Sequence, residues 1–185
     1  YGAMCGQYTL PLVKLHNGIT VSPSCLDLSA AELELISEPG RELILKGLIT
    51  KAIAKEHFDY IIIDCGLKQE LLTVNALSAS DYCIIPVQSH FLASEGIPDV
   101  LDMVRSVQKH FNPGLKIAGL LLTMYQSRPQ LCKSVQQSVR EVYGDDLHVF
   151  DRPIEYTIRI AECPMAGMSI LDYEPGNPCL LYTSP

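Results

Sequence analysis

The sequence predicts an α/β fold: an open, mostly parallel sheet with helices on both faces. Short apolar runs rich in β-branched residues alternate along the chain with longer segments whose apolar residues recur every three or four positions. The short runs show no polar alternation, which is typical of strands buried on both faces. Because neighbouring parallel strands need a crossover, usually a helix, this alternation favours a parallel sheet.

The predicted strands share a length of five to seven residues and bulky apolar side chains. They cover residues 59–64, 82–87 and 116–122, with a weaker candidate at 18–22. The first of them lies in the stretch FDYIIIDC and ends on a single carboxylate, Asp64.

Helices are predicted where apolar residues fall on one face. In residues 94–111, Ile97, Leu101 and Val104 follow this spacing. The same period predicts a helix over 128–143, with Leu131, Val135, Val139 and Val142 on one face. A third helix is predicted after Ser37-Glu38-Pro39-Gly40, since proline is tolerated in a first helical turn.

Length and composition indicate one domain over residues 1–185, with 48% hydrophobic residues available for a core. The net charge of −7 gives no bulk support for binding nucleic acid or anionic lipid. Seven scattered cysteines without a CxxC pair indicate neither a zinc site nor a disulfide framework, and they favour a cytoplasmic protein. No apolar run reaches the ~20 residues that span a bilayer, so no membrane association is predicted.

Both ends of the chain are expected to be truncated. The sequence starts at Tyr1 without an initiator methionine, and residues 176–185 form a proline-rich tail that we interpret as non-native sequence.

Asp64 is the strongest single candidate for a functional residue. A carboxylate at the end of a buried strand suits a cation, although a helix N-cap or a turn explains an aspartate equally well. The phosphate-binding pattern GxxxxGK[ST] does not occur in the 185 residues. Gly66-Leu67-Lys68 lacks the first glycine and the hydroxyl residue of that pattern, and it is interpreted as a turn.

Histidine and arginine give weaker signals. The five histidines have no metal-ligand spacing, so exposed positions are expected. Arg128 and Arg159 both lie near predicted strand-end loops, where two arginines could form a local phosphate contact despite the acidic total.

The order of several motifs resembles the ParA/Soj family of chromosome and plasmid partition ATPases. The resemblance covers about residues 18–175. The segments that carry it are FDYIIIDC, LLTVNALSASDYCIIPVQ, SEGIPDVLDMVRSVQKHFNPGLKIAGLLLTMYQSR and IEYTIRIAECP. It implies a P-loop NTPase-like sheet missing its first strand, so that the chain is a single incomplete ATPase domain.

The resemblance implies roles for particular residues. Asp64 matches the Walker B aspartate, which helps to hold Mg²⁺ through water. The predicted nucleotide-binding residues lie in two loops, namely Thr123, Met124, Tyr156 and Thr157. Glu95 and Gly96 match a motif at the interface of an ATP-dependent homodimer. Arg128 and Arg159 match arginines used for non-specific DNA binding.

The resemblance also implies ATP and Mg²⁺ as cofactors of the complete protein, a ParB-type adaptor as partner and a cytoplasmic, nucleoid-associated location. It places the phosphate loop before residue 1. The family's usual DCPPS is here Asp64-Cys65-Gly66-Leu67-Lys68, its IPY is Ile154-Glu155-Tyr156, and its final helix is missing or replaced. These departures argue against normal ATP turnover by this chain.

Three functions therefore stay open. The first is a part of a partition ATPase that does not bind ATP alone. The second is a degenerate, non-catalytic ParA-like module that keeps the fold for protein or DNA contacts. The third, a MinD-like membrane ATPase, is disfavoured because the tail has no basic amphipathic helix.

Overall fold

A computed structural model describes residues 1–66, 71–90 and 95–177. The chain divides into two compact units, one of residues 1–82 with 101–116 and the other of residues 83–100 with 117–185. The prediction of a single domain over 1–185 stays a prediction.

The described residues form short strands and mostly short helices. The strands are β1 Val13–Lys14, β2 Thr20–Val21, β3 Tyr82–Gln88 and β4 Lys116–Thr123. The helices are α1 Ala30–Glu34, α2 Ile44–Ile53, α3 Leu71–Ala79, α4 Ile97–His110, α5 Gln130–Tyr143, α6 Ile158–Ala166 and α7 Ile170–Tyr173. Single 3₁₀ turns occur at Leu26–Ser29, Leu35–Ser37 and Arg41–Leu43.

An antiparallel hairpin of β1 and β2 lies near the start of the first unit, with Val13 opposite Val21. Gly18 has a φ of 84°, which a residue with a side chain rarely adopts, and the Asn17 side chain accepts a hydrogen bond from the Ile19 amide. The predicted strand at 18–22 therefore exists only as two residues of a hairpin and does not join a parallel sheet.

The core of the first unit forms around Ala31, Leu35 and Leu48. The buried amide of Asn75 connects three backbone segments to it. Asn75 Oδ1 accepts from the Leu45 amide at 3.0 Å, and Nδ2 donates to the Arg41 carbonyl at 2.7 Å and to the Leu71 carbonyl at 3.0 Å. The start of α2 is thereby fixed to α3, and no buried polar atom of Asn75 is left unsatisfied.

The end of α3 is fixed by a second asparagine of the first unit. Asn112 Nδ2 donates to the carbonyls of Leu77 at 3.1 Å and Ser80 at 2.7 Å. These are the kind of terminal carbonyls that a helix leaves without intrahelical partners.

The predicted strand at 59–64 is wrong. The segment has no strand conformation, and the described residues provide no backbone partner for it. Tyr60 is 88% exposed and Ile62 is 92% exposed. A strand exists only where a neighbour completes its hydrogen bonds, so an apolar β-branched run alone does not form one.

The two longer strands, β3 and β4, confirm the predictions at 82–87 and 116–122. The Lys116 amide donates to the Asp81 carbonyl at 3.0 Å, and the Ser89 amide donates to the Thr123 carbonyl at 2.9 Å. The starts of the two strands are thus bonded to each other, and so are their ends. The pair is therefore parallel, and α4 lies in the connection between the two strands. The fold is α/β with helices and a parallel sheet.

Burial of β3 on both faces was expected and is wrong. Ile85 and Val87 are 3% exposed, whereas Tyr82 is 62% and Ile84 is 53% exposed. Alternate residues of a strand point to opposite faces, and the described residues cover only one of them.

The predicted helices at 94–111 and 128–143 are confirmed as α4 and α5, although residues 91–94 lie outside the described residues. In α4, Ile97, Leu101, Val104 and Val107 are buried as the spacing predicts. In α5, Val135 and Val139 are buried but Leu131 and Val142 are exposed, so the buried stripe is shorter than predicted. None of the helices in the described residues is long and apolar enough to cross a membrane.

Candidate functional site

The carboxyl ends of β3 and β4 lie side by side in the second unit. Ser89 is buried, and both its amide and its hydroxyl donate to the Thr123 carbonyl, at 2.9 and 3.0 Å. The Cys132 thiol donates to the Ser89 carbonyl at 3.5 Å, which attaches α5 to the same strand ends. Ligands of open parallel sheets bind beyond this edge, so these contacts position the candidate site.

A further segment runs parallel beside β4. The Leu120 amide donates to the His148 carbonyl at 2.9 Å, and the Phe150 amide donates to the Leu120 carbonyl at 3.0 Å. Gly119 allows this approach, because a Cβ atom there would lie 2.6 Å from the His148 carbonyl oxygen.

Two loops come together where this segment continues. The Ile154 amide donates to Leu122 at 2.8 Å, the Tyr125 amide to Ile154 at 3.0 Å, and the Tyr156 amide to Tyr125 at 2.8 Å, in each case to the carbonyl oxygen. We call residues 123–125 and 154–157 the loop pair. The loop pair contains all four residues predicted to bind a nucleotide.

The side chains of the loop pair divide into exposed and structural ones. Met124 is 54% exposed at a φ of 52°, and Tyr156 is 51% exposed. A thioether and a phenol ring offer apolar, polarisable surface of the kind that suits a planar ring. Thr157 instead caps α6, where its side chain accepts from the Arg159 amide at 3.3 Å, and the Thr123 carbonyl is used by Ser89.

Asp64 lies in the first unit, exposed, in the non-strand segment described above. Although Cys65 is exposed as a residue, partial desolvation of its thiol raises its pKa, and the charge of Asp64 raises it further. The Thr73 hydroxyl donates to the Gly66 carbonyl at 3.1 Å. Leu67 and Lys68, interpreted as part of a turn, lie outside the described residues.

Metal ligands do not gather around Asp64. In the parts of the chain that the structure describes, no group of three or more His, Cys, Asp or Glu residues could hold a metal ion. The described residues therefore do not form a complete Mg²⁺ site around Asp64.

Glu95 and Gly96, the predicted dimer residues, form an exposed turn immediately before α4. The Gly96 carbonyl accepts from the Val100 amide at 3.4 Å. Both residues are accessible in the second unit, and their predicted role stays a prediction.

The two predicted DNA-binding arginines have different surroundings in the second unit. Arg128 is exposed in the loop between β4 and α5. Arg159 pairs with Glu162 at 3.0 Å and with Glu174 at 3.9 Å, and the hydrogen bond to Glu162 together with the charges of both acids raises the pKa of Arg159. Arg159 thus has its charge partly neutralised, whereas Arg128 has no ion pair among the described residues.

Sequence reasoning missed Arg140, which lies on α5. Its guanidinium donates to the backbone carbonyls of Phe150 and Asp151, each at 3.1 Å. An arginine on the polar face of a helix gives no pattern that would predict this contact. Ser89 lies two residues after the predicted strand at 82–87, so its place at a strand end follows from the sequence.

Comparison with known proteins gives consistent matches. The family model described as an AAA domain matches residues 10–117. The sporulation initiation inhibitor protein Soj of Bacillus subtilis is 41% identical over 157 residues, which are 85% of this chain and 60% of that protein. The chromosome-partitioning ATPase Soj of Treponema pallidum is 36% identical over 160 residues, 86% of this chain and 61% of that protein. The chain thus spans about three fifths of the length of these relatives.

A solved structure agrees with these matches. Cobyrinic acid a,c-diamide synthase from Mycobacterium smegmatis, with a bound ATP analogue and magnesium, superposes with a TM-score of 0.77 at 31% identity. The match covers 90% of this chain and 72% of that one.

Proposed function

Because the chain belongs to the ParA/Soj family of P-loop ATPases, we propose that it carries the nucleoside side of an ATP site in a protein that partitions chromosomes or plasmids. Homologues of the chain are partition ATPases, and structural relatives hold adenine nucleotides with magnesium. The loop pair is the observation that carries the proposal.

The loop pair fits the base of a nucleotide. Two backbone hydrogen bonds join its two loops at the carboxyl end of the parallel sheet, and a third joins Ile154 to Leu122 of β4. Met124 and Tyr156 expose apolar surface there, while the hydrogen bonds leave the loops little freedom to rearrange.

The described residues do not fit the phosphates and their Mg²⁺. The sequence has no GxxxxGK[ST] pattern, and Asp64 belongs to no group of three or more His, Cys, Asp or Glu residues among the described residues. We propose that Asp64 serves Mg²⁺ only when a phosphate loop is supplied, and that the 185 residues alone do not bind ATP measurably.

The test compares two proteins. One is the 185-residue chain, and the other, the completed chain, is the same sequence preceded by a phosphate-loop segment from a ParA-family ATPase. Titration with labelled ATP and Mg²⁺ should show binding only by the completed chain, and Met124→Asp should weaken it because a charge cannot be desolvated against the base. Absence of binding by a folded completed chain would favour the degenerate, non-catalytic module.

We further propose that the completed protein forms an ATP-dependent homodimer through Glu95 and Gly96, binds DNA without sequence preference and works with a ParB-type adaptor. Relatives named as partition proteins support a partition-system role. A dimer doubles a small basic patch, which suits backbone contacts despite the net charge of −7.

DNA binding has its own test in the completed chain. Arg128→Ala should weaken binding to two unrelated duplexes equally and lower the salt dependence, because a phosphate contact carries no sequence information. Arg159→Ala should have the smaller effect, since Glu162 and Glu174 already neutralise part of its charge. Arg105→Ala, which removes a charge from an exposed i,i+3 pair on α4, is the control for net charge. Equal affinities of all three variants and the parent at low salt would contradict the proposed contacts of Arg128 and Arg159 with DNA.

A further inference from the structure

The segment beside β4 contains a bulge between its two points of attachment. The Phe150 amide bonds the Leu120 carbonyl, and the Ile154 amide bonds the Leu122 carbonyl. Two steps along β4 (120 to 122) are thus matched by four steps along the neighbouring segment (150 to 154), which is two residues more than a regular parallel ladder. Bulges of this kind redirect a strand and its side chains.

Two carbonyls of the bulge accept hydrogen bonds from one side chain. Arg140 donates to the Phe150 and Asp151 carbonyls at 3.1 Å each, and a third contact joins its guanidinium to the Asp151 carboxylate at 3.4 Å. Asp151 is exposed, so the carboxylate adds little, and the two backbone contacts dominate. Nη2 donates both backbone bonds, and Nη1 makes the contact with the carboxylate. A lysine has a single nitrogen on a shorter side chain, so it would reach the two carbonyls less well and would lose the second donor nitrogen.

We propose that Arg140 is a positioning residue: by holding the bulge at 150–153, it sets the register in which Ile154–Thr157 pairs with Met124–Tyr125. Without the guanidinium, the Phe150 and Asp151 carbonyls lose these bonds, and we expect the bulge to shorten or shift. A shift of one residue would turn Tyr156 to the opposite side, because neighbouring residues of an extended segment point in opposite directions. The functional meaning of this role rests on the proposed nucleotide site.

Amide hydrogen exchange of the 185-residue chain tests the positioning role without any ligand. Arg140→Met should accelerate exchange of the Ile154 and Tyr156 amides by about tenfold or more, while the Leu120 amide and the amides of α3 keep their parent rates. Arg140→Lys should give a smaller acceleration at the same amides. Arg105→Met, which removes an arginine from an exposed ion pair, should change none of them.

Two results would overturn the proposal. One is parent-like exchange at Ile154 and Tyr156 in both Arg140 variants, and the other is an equal acceleration at every amide in both, which would indicate only a general loss of stability. If Arg140→Met does not fold, Arg140→Lys decides between local acceleration and these two results.

The completed chain separates this proposal from the nucleotide site. Arg140→Met should raise the Kd for ATP several-fold, with partial recovery in Arg140→Lys. Local acceleration of exchange together with an unchanged Kd would uphold the positioning role and overturn the assignment of the loop pair to the base.

Discussion

Gly119 shows how one residue can determine the arrangement of neighbouring segments. It lies in β4 at a φ of 155°, and a Cβ atom would lie 2.6 Å from the His148 carbonyl oxygen and 3.0 Å from Cε2 of Phe150. The first of these atoms belongs to the backbone and cannot move away without separating residues 148–150 from β4.

Gly119→Ala is therefore expected to destabilise the second unit by about 3 kcal/mol or more, through the clash and the unfavourable φ together. Urea titration followed by circular dichroism measures the change. Gly114→Ala is the matched control, because its nearest neighbour would be Asn112 Oδ1 at an ordinary 3.6 Å. Similar midpoints for the two variants would contradict the steric argument.

Asn75 acts at the same scale in the first unit. Replacement by alanine removes the acceptor of the Leu45 amide and the donor to the Arg41 carbonyl, which leaves partly buried backbone groups unpaired. We expect Asn75→Ala to cost about 2–3 kcal/mol of folding free energy.

Asn17→Ala is the control for Asn75→Ala. Asn17 also accepts a backbone hydrogen bond, from Ile19, but in an exposed hairpin turn. Its replacement should cost about 0.5 kcal/mol, since water can take over the bond. An Asn75→Ala variant as stable as Asn17→Ala in the same urea titration would show that the buried amide is dispensable.

At the level of elements, sequence reasoning succeeded where local pattern and tertiary environment agree. The strands β3 and β4 were predictable because each is an apolar run of strand length. The helices α4 and α5 were predictable because their apolar residues recur every three or four positions. The strand at 59–64 was predicted from the same kind of apolar run, but it does not form. A strand needs a neighbouring strand that completes its backbone hydrogen bonds, and the run itself does not reveal whether one is present.

Two of the helices that the sequence did not predict, α3 and α6, were missed for a different reason. In α3, the buried residues include Thr73, Asn75 and Ser78 among apolar ones, so the sequence LLTVNALSA shows no polar face. The α6 helix is short and contains Pro164, which sequence rules associate with helix breaks. The candidate site was predictable as far as its strand ends, whereas the bulge and Arg140 depend on contacts between distant residues.

The exposed segment from Tyr60 to Ile62 leads to a prediction about proteolysis. Proteases bind substrates in extended form, and Tyr60 is 88% exposed in a segment without backbone partners in the described residues. Brief chymotrypsin treatment should cut after Tyr60 before the other aromatic sites of the described residues, giving fragments of residues 1–60 and 61–185 in mass spectra.

Tyr82 is the internal comparison for this cleavage. It is also well exposed, at 62%, but it lies in the hydrogen-bonded strand β3. Cleavage after Tyr82 as fast as after Tyr60 would show that backbone pairing does not protect the chain.

At the scale of the whole molecule, the chain is expected to be marginally stable. Its parallel sheet has two strands in the described residues, and large side chains such as Leu26 (95% exposed) and Ile62 (92% exposed) contribute little to the core. The thermal midpoint of the 185-residue chain should lie below the usual mesophilic range of about 45–65 °C. A cooperative calorimetric transition within or above that range would refute this expectation.

The exposed run from Tyr60 to Ile62 is also expected to make the apparent stability of the chain depend on protein concentration. An apolar, β-prone segment without proline, whose backbone groups have no partner in the described residues, can pair with the same segment of another molecule. Such pairing is bimolecular, so its free energy changes with dilution, and the apparent stability of the chain changes with it. A melting temperature of this protein then has meaning only together with the concentration at which it was measured.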